Sequence, residues 1–366
     1  MLISKIEIYK YSIPMHPFTI ATGKMDFAQN TLLKIHTSEG LLGYGECSAF
    51  PMIVGETQNT CYEMAKEMAP LWLHNNALAI PERMAQLHAF TAGNTTIKSA
   101  FDMALYDIAA QHAKQPLYAY LGGKAKPMVT DITVGINSRE IMAAQALGFV
   151  QNGATILKVK LGTTVTNDVN NIEAITAAVG KNIILRVDAN QGWSPADALD
   201  CLTQLGKYNI QFCEQPMRTY NDHYLPKLLL ESPIAIMADE SVYNHNDALR
   251  IITAKACSSI NIKLAKSGGI QEAIQIVAIA QQHNIPCMMG GMLESRLALT
   301  AFAHFAAAHS QIQFYDMDTC MLGHKTDPVL GGLTFDGYTA KLPTTIGLGA
   351  TVSDSYLQHC QSIIIQ

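Results

Sequence analysis

The chain has 366 residues with 30 acidic against 25 basic side chains, a net charge of −5, and its Lys and Arg residues occur at most as isolated pairs, which excludes a binder of phosphate backbones and makes nucleic acid an unexpected partner. The length exceeds one average domain, so two are expected. The opening MLISKIEIYKYSIP alternates charge with apolar residues, and the longest apolar-rich stretch, Leu297 to Ala308, carries Thr300 and His304 and falls short of a membrane span. A cytoplasmic protein without a membrane partner is the expectation.

Residues 2–12 and 29–38 alternate apolar and polar side chains as half-buried strands do, and Glu39-Gly40 marks a turn after the second. Residues 57–120 then show helical spacing, with Ala100, Met103, Ala104, Tyr106 and Leu117 on it, and Leu121-Gly122-Gly123 stops the run. Strands followed by helices predict an α+β domain over 1–125. From Val129 the texture changes to eight short apolar runs about 25 residues apart, from VTDITVGI through IQFYDMD. Near-continuous apolar strands alternating with helical stretches predict a parallel βα barrel over 126–320, with its chemistry at the C-terminal strand ends. The Gly- and Pro-rich segment from about 321 to 366 is expected to fold back against the first domain. The eight cysteines are scattered in apolar surroundings with no CxxC pair, which predicts buried free thiols.

Charged residues interrupt these runs in register. Lys160, Asp188, Glu214, Asp239 and Lys263 follow one another at intervals of 28, 26, 25 and 24, the length of one strand-plus-helix unit. Asp188, Glu214 and Asp239 would therefore converge from three consecutive strands, and hard oxygen donors without nearby His or Cys favour Mg²⁺ or Mn²⁺ over zinc. Any one of these acids alone also fits a helix cap. Asn190 and Glu240, close behind two of them, are candidates to orient the ligands or pair with a lysine. Lys158 and Lys160 lie two apart on one strand and so face one side, the barrel interior. Crowding two ammonium groups near a dication is expected to depress the pKa of at least one. Lys266 fits a lysine that snorkels to solvent, and His16 and His304 fall outside the ladder as surface or core residues.

The segments KVK at 158–160, RVDANQGW at 186–193, EQP at 214–216, ADES at 238–241 and NIKLAKSGG at 261–269, with GYGE at 43–46 and MALYDIAAQ in the first domain, resemble the muconate-lactonizing subgroup of the enolase superfamily. The resemblance implies a modified TIM barrel, (β/α)₇β, behind an N-terminal α+β capping domain. It also implies a homo-oligomer, one Mg²⁺ per subunit on Asp188, Glu214 and Asp239, and Lys160 and Lys263 as an acid/base pair. A substrate carboxylate beside the cation can accept charge as its α-proton leaves, and lysines on both faces suit a 1,1-proton transfer.

On the eighth run Asp316 and Asp318 sit at i and i+2, so both face one side at the barrel mouth, a cradle for a cation. They resemble the DxD signature of the superfamily's dipeptide epimerases, where such acids hold the substrate's free ammonium. In the Ala-Glu version of that family an arginine of the capping loop pairs with the substrate glutamate; here that position is Gly23, with Lys24 beside it. A Lys is not a bidentate Arg, so the expected range is L-Ala-Xaa with Xaa Glu or broader. Lys158, Thr133, Gly291, Met292 and Leu293 complete the expected substrate wall, although core packing is the plainer role for Met292 and Leu293. The implied enzyme is an isomerase, a dipeptide epimerase. An N-acylamino acid racemase or a cycloisomerase stands as the alternative on the same scaffold, a Schiff-base lyase is a rival from other chemistry, and a binding barrel is the non-enzymatic one.

Overall fold

The computed structural model describes residues 1–21 and 23–366. Its first three strands, Ile3–Ile20, Gly23–Thr37 and Leu42–Ser48, form an antiparallel sheet. Their alternation buries Ile6, Ile8, Tyr11, Ile13 and Met15. The helix Thr95–His112 lies against the third strand, and the approach is close because Gly43 and Gly45 carry no side chain. A Cβ on Gly45 would fall 1.8 Å from the Ala100 carbonyl oxygen, and one on Gly43 2.2 Å from that of Ala104. The GYGE segment is thus a seat for a helix.

Eight parallel strands follow, each succeeded by a helix except the last, which is the (β/α)₇β order. They run Ile132–Val134, Ile156–Lys160, Ile184–Asp188, Ile210–Glu214, Ile236–Ala238, Ser259–Ile262, Cys287–Gly290 and Ile312–Asp316. The ring closes where the Asp131 amide donates to the Tyr315 carbonyl at 3.2 Å. Register then stacks the interior in layers. Lys158 lies beside Arg186 and Arg186 beside Phe212 in one layer, and Lys160, Asp188 and Glu214 stand in a row one step nearer the mouth. At the bottom the Arg186 guanidinium sits 5.3 Å from the ring centres of both Phe212 and Phe314 and pairs with Asp131 at 2.9 Å. The barrel is plugged below and charged above.

Buried carboxylates join the sheet-and-helix cap to the barrel. Glu46 accepts from the Ser295 amide at 2.7 Å, its hydroxyl at 2.6 Å and the Ala298 amide at 3.1 Å, so it caps the helix Arg296–Ala308. Asp102 likewise accepts from the Ile270 amide at the start of Ile270–Gln282. Asp107 accepts from the amides of Tyr44 at 3.1 Å and Leu348 at 2.8 Å. The segment beyond residue 321 reaches further than expected: Ser362–Ile365 adds a strand beside Ile3–Ile20, while Thr339–Lys341 pairs with Met128–Val129. It touches the cap sheet and the barrel entrance alike. The cysteines are free thiols, six of them buried. No helix among the described residues is long and apolar enough to cross a membrane.

Candidate active site

Eight strands in a ring put the second directly across from the sixth, and these carry the two lysines of the ladder. Lys160 ends the second strand and Lys263 follows the sixth, and both line one cavity of about 160 Å³ beneath the cap. Of the strands between them, the third and fourth end in Asp188 and Glu214, and Asp239 directly follows the fifth. The eighth, on the far side of the ring, ends in Asp316, with Asp318 two residues on. Such a volume is small against the ~300–1,000 Å³ usual for drug-sized ligands.

Buried ion pairs knit this ring. Lys160 Nζ lies 2.6 Å from Asp188 Oδ2 and 3.1 Å from Asn190 Oδ1. Lys263 Nζ lies 2.7 Å from Asp239 Oδ2 and 4.0 Å from Glu214 Oε1. Lys158 does not reach the cavity; it is buried beneath, 2.7 Å from Glu214, 2.7 Å from Asp316 and 3.2 Å from Asp188. Burial and the facing acids act in opposite directions on Lys263 and Lys158. Burial disfavours both ammonium groups, but the carboxylates facing them, Asp239 for the first and Asp316 for the second, outweigh it and push both pKa values up. Burial, and then the charge of Asp188, raise Glu214 to about 7, against the Lys158 ammonium that lies 2.7 Å from its Oε2. Burial and Asp239 push Glu240 to about 8. Asn190 ties these groups together: its amide donates to Asp188 Oδ1 at 2.9 Å and its side chain to Glu240 at 3.5 Å.

Lys266 is a further correction. Instead of snorkelling it is 0% exposed, with Nζ 2.6 Å from Asp239 Oδ1 and 3.0 Å from the Asn261 carbonyl oxygen. Asn261 in turn donates to Glu214 Oε1 at 2.7 Å. Gln215 holds a positive φ of 35° and its Oε1 accepts from the amides of Asp239 at 3.0 Å and Ser241 at 3.1 Å, fastening the fourth strand end to the fifth. Sequence reasoning gave no role to Asn261 or Gln215. Asn261 was within its reach, since it stands two before Lys263 and therefore on the same face of the strand.

On the opposite wall Asp318 Oδ2 accepts from the Thr133 amide at 2.7 Å. Burial and the neighbouring Asp316 raise Asp318 to about 7, whereas Lys158 draws Asp316 below the usual carboxylate range against the effect of burial. Among the described residues, the one group of three carboxylates with oxygens mutually within 4.8 Å is Asp131, Asp316 and Asp318; Asp188, Glu214 and Asp239 do not meet that spacing, being interleaved with ammonium groups.

Thr133, Gly291, Met292 and Leu293 all line the cavity. The Met292-Leu293 pair is hung from the cap, with the Asn30 side chain donating to the Leu293 carbonyl at 3.1 Å and the Leu293 amide to Ser48 Oγ at 3.2 Å. His16, set outside the ladder by sequence, stands on the cavity lining at its exposed rim. Lys24 does not join it: its side chain is 59% exposed, 4.0 Å from Asp26, and absent from the lining.

A barrel of this order under an α+β cap, with opposed lysines and acids at successive strand ends, carries its charged site where barrel enzymes carry theirs. Residues 141–356 match the enolase C-terminal domain-like family, and residues 3–122 the mandelate racemase / muconate lactonizing enzyme N-terminal domain. The chain belongs to the enolase superfamily. It is 43% identical to a D-Ala-D/L-Ala epimerase of Cytophaga hutchinsonii over the full length of both chains. The solved dipeptide epimerase of that organism, complexed with Mg and D-Ala-L-Val, superposes with a TM-score of 0.98 over 100% of each chain. The L-Ala-D/L-Glu epimerase of Bacillus subtilis, in a substrate-liganded complex, gives 0.93 at 34% identity over 96% of this chain and 99% of that one. These relatives are isomerases, and the chain is an isomerase of the same superfamily.

Proposed function

We propose that the protein is a Mg²⁺-dependent dipeptide epimerase that inverts the α-carbon of the C-terminal residue of L-Ala-Xaa dipeptides. The observation that carries this reading is the opposition of Lys160 and Lys263 across one cavity, with the acids of three strand ends on one side and Asp316 and Asp318 on the other. The dipeptide relatives support it.

The donor set suits a hard divalent cation: Asp188, Glu214 and Asp239 offer only carboxylate oxygens, and all three are fully buried at the ends of neighbouring strands. Those three residues would hold Mg²⁺. Bound there, the ion supplies positive charge against which a substrate carboxylate can take up electron density. Lys160 and Lys263 do the proton work, one removing the α-proton and the other delivering a proton to the opposite face. Asn190 holds Lys160 on line, and Glu240 braces Asn190. Lys158 serves as a buried counter-ion that keeps Asp188, Glu214 and Asp316 together, and so acts on the substrate only through them. Asp316 and Asp318 on the cavity wall also suit a cation, and in this reading that cation is the dipeptide's free ammonium, with Thr133 fixing Asp318. An N-acylamino acid racemase would place an uncharged acyl group against those acids, which favours the dipeptide.

The test is α-proton exchange in D₂O across a dipeptide set, with and without EDTA. EDTA-sensitive exchange with inversion is expected; absence of exchange from every dipeptide would sink the proposal.

A further inference from the structure

Once the carboxylate end of the dipeptide is directed to the third to fifth strand ends and its ammonium to the eighth, the two lysines occupy the remaining sides of the α-carbon. The side chain of the epimerised residue then has one way to go, outward, against the cap. That wall is apolar: Phe18, Ile20, Phe50 and Ile53 come from the cap, Met15 from the end of the first strand's paired region, and Leu322 from the segment after the eighth strand. Among the described residues, the basic groups on the lining are Lys160 and Lys263, both tied to acids of the floor, and His16 at the exposed rim. The start of the second strand adds no cation either: Gly23 has no side chain, and Met52 Sδ lies 2.3 Å from where its Cβ would be. Lys24 turns to Asp26 and solvent.

We infer that the epimerised residue carries a short apolar side chain, and that an acidic one is rejected. This rests on the dipeptide epimerase reading and settles its open second residue. A glutamate side chain directed at this wall would lose water and find neither a cation nor a ring of donors to replace it, and an ionised carboxylate in apolar surroundings without a partner is strongly disfavoured. An alanine or valine side chain exchanges water for the same methyl and aromatic groups at a gain. The small cavity adds a size limit in the same direction.

The experiment compares kcat/KM for α-deuterium incorporation into L-Ala-L-Ala, L-Ala-L-Val and L-Ala-L-Glu with Mg²⁺ present. The two apolar dipeptides should exceed L-Ala-L-Glu by about 100-fold or more. Equal or faster exchange of L-Ala-L-Glu overturns the inference while leaving the epimerase reading intact; exchange of none of the three removes that reading instead. In Ile53→Lys, a cation placed on the wall should raise the L-Ala-L-Glu to L-Ala-L-Val ratio by about 10-fold or more. An unchanged ratio in a variant that still exchanges L-Ala-L-Val would mean that the side chain does not lie against this wall. Should Ile53→Lys lose all exchange, the wild-type comparison decides alone.

Discussion

In the proposed reaction each lysine of the opposed pair would have its own face of the substrate, and this separates their variants. Lys160→Met and Lys263→Met should both lose epimerisation by about 10²–10⁴-fold, the usual worth of a positioned proton-transfer group. Each should still exchange the α-proton of one epimer only, and of opposite epimers, which proton NMR in D₂O reads directly. Asp316→Asn keeps the shape but removes the charge facing the ammonium, and should raise KM for free dipeptides by about 10–100-fold, with kcat changed less. Lys266 makes a different claim. Its ammonium is enclosed by Asp239 and the Asn261 carbonyl, so Lys266→Met leaves Asp239 one partner short in the interior and should cost about 3 kcal/mol in urea unfolding. At this scale the ladder was legible because its spacing equals the strand-plus-helix repeat and its members end apolar runs. Lys266 was not, since a lysine three residues after a strand end reads as a solvent residue until the loop above it is known. Met52 beside Gly23 was out of reach for the same reason: their contact joins the start of a strand to the short helix Pro51–Val54, which share no periodicity.

The helix Thr95–His112 carries a second kind of lesson. Its helical spacing was plain in the sequence, yet fifteen of its residues are buried, among them Lys98, Asp102 and Asp107. A charged residue on a helix is first assigned to the solvated face; here that face meets the barrel, and the charges serve as caps for other elements. Burial pushes the Asp102 carboxyl up to about 8 in spite of the amides of Ile270 and Gln271. With the folded pKa above the unfolded value near 4, the folded state holds the extra proton between those limits. The contribution is therefore fully present below about pH 4 and lost as pH rises towards 8. Asp102→Asn retains an oxygen for the Ile270 amide and does not titrate, so its stability relative to the parent should grow by about 2 kcal/mol or more between pH 5 and 8, followed by denaturant midpoints.

For the molecule as a whole, the barrel order and the cap were readable from runs and turns, while the way they are joined was not. Glu46, Asp102 and Asp107 each bond across sequence separations that no local pattern reports. The reach of the final segment to both cap sheet and barrel entrance is likewise a matter of long-range pairing. A cation bound at Asp188, Glu214 and Asp239 would bind the folded chain and not the unfolded one, so it should stabilise the entire fold. At a Mg²⁺ concentration 100 times its Kd the gain is about 2.7 kcal/mol, seen as a rise in Tm that EDTA reverses and that Asp239→Asn reduces. The placement of the lysines on the second and sixth strands has a consequence for flux. In the proposed reaction, two side chains of the same kind at equivalent stations around a ring would present either epimer with a base on its proton-bearing face and an acid behind it. Such a site favours neither hand of its product. The final ratio is that of the two free diastereomers in water, and net conversion runs towards whichever of them the next reaction removes.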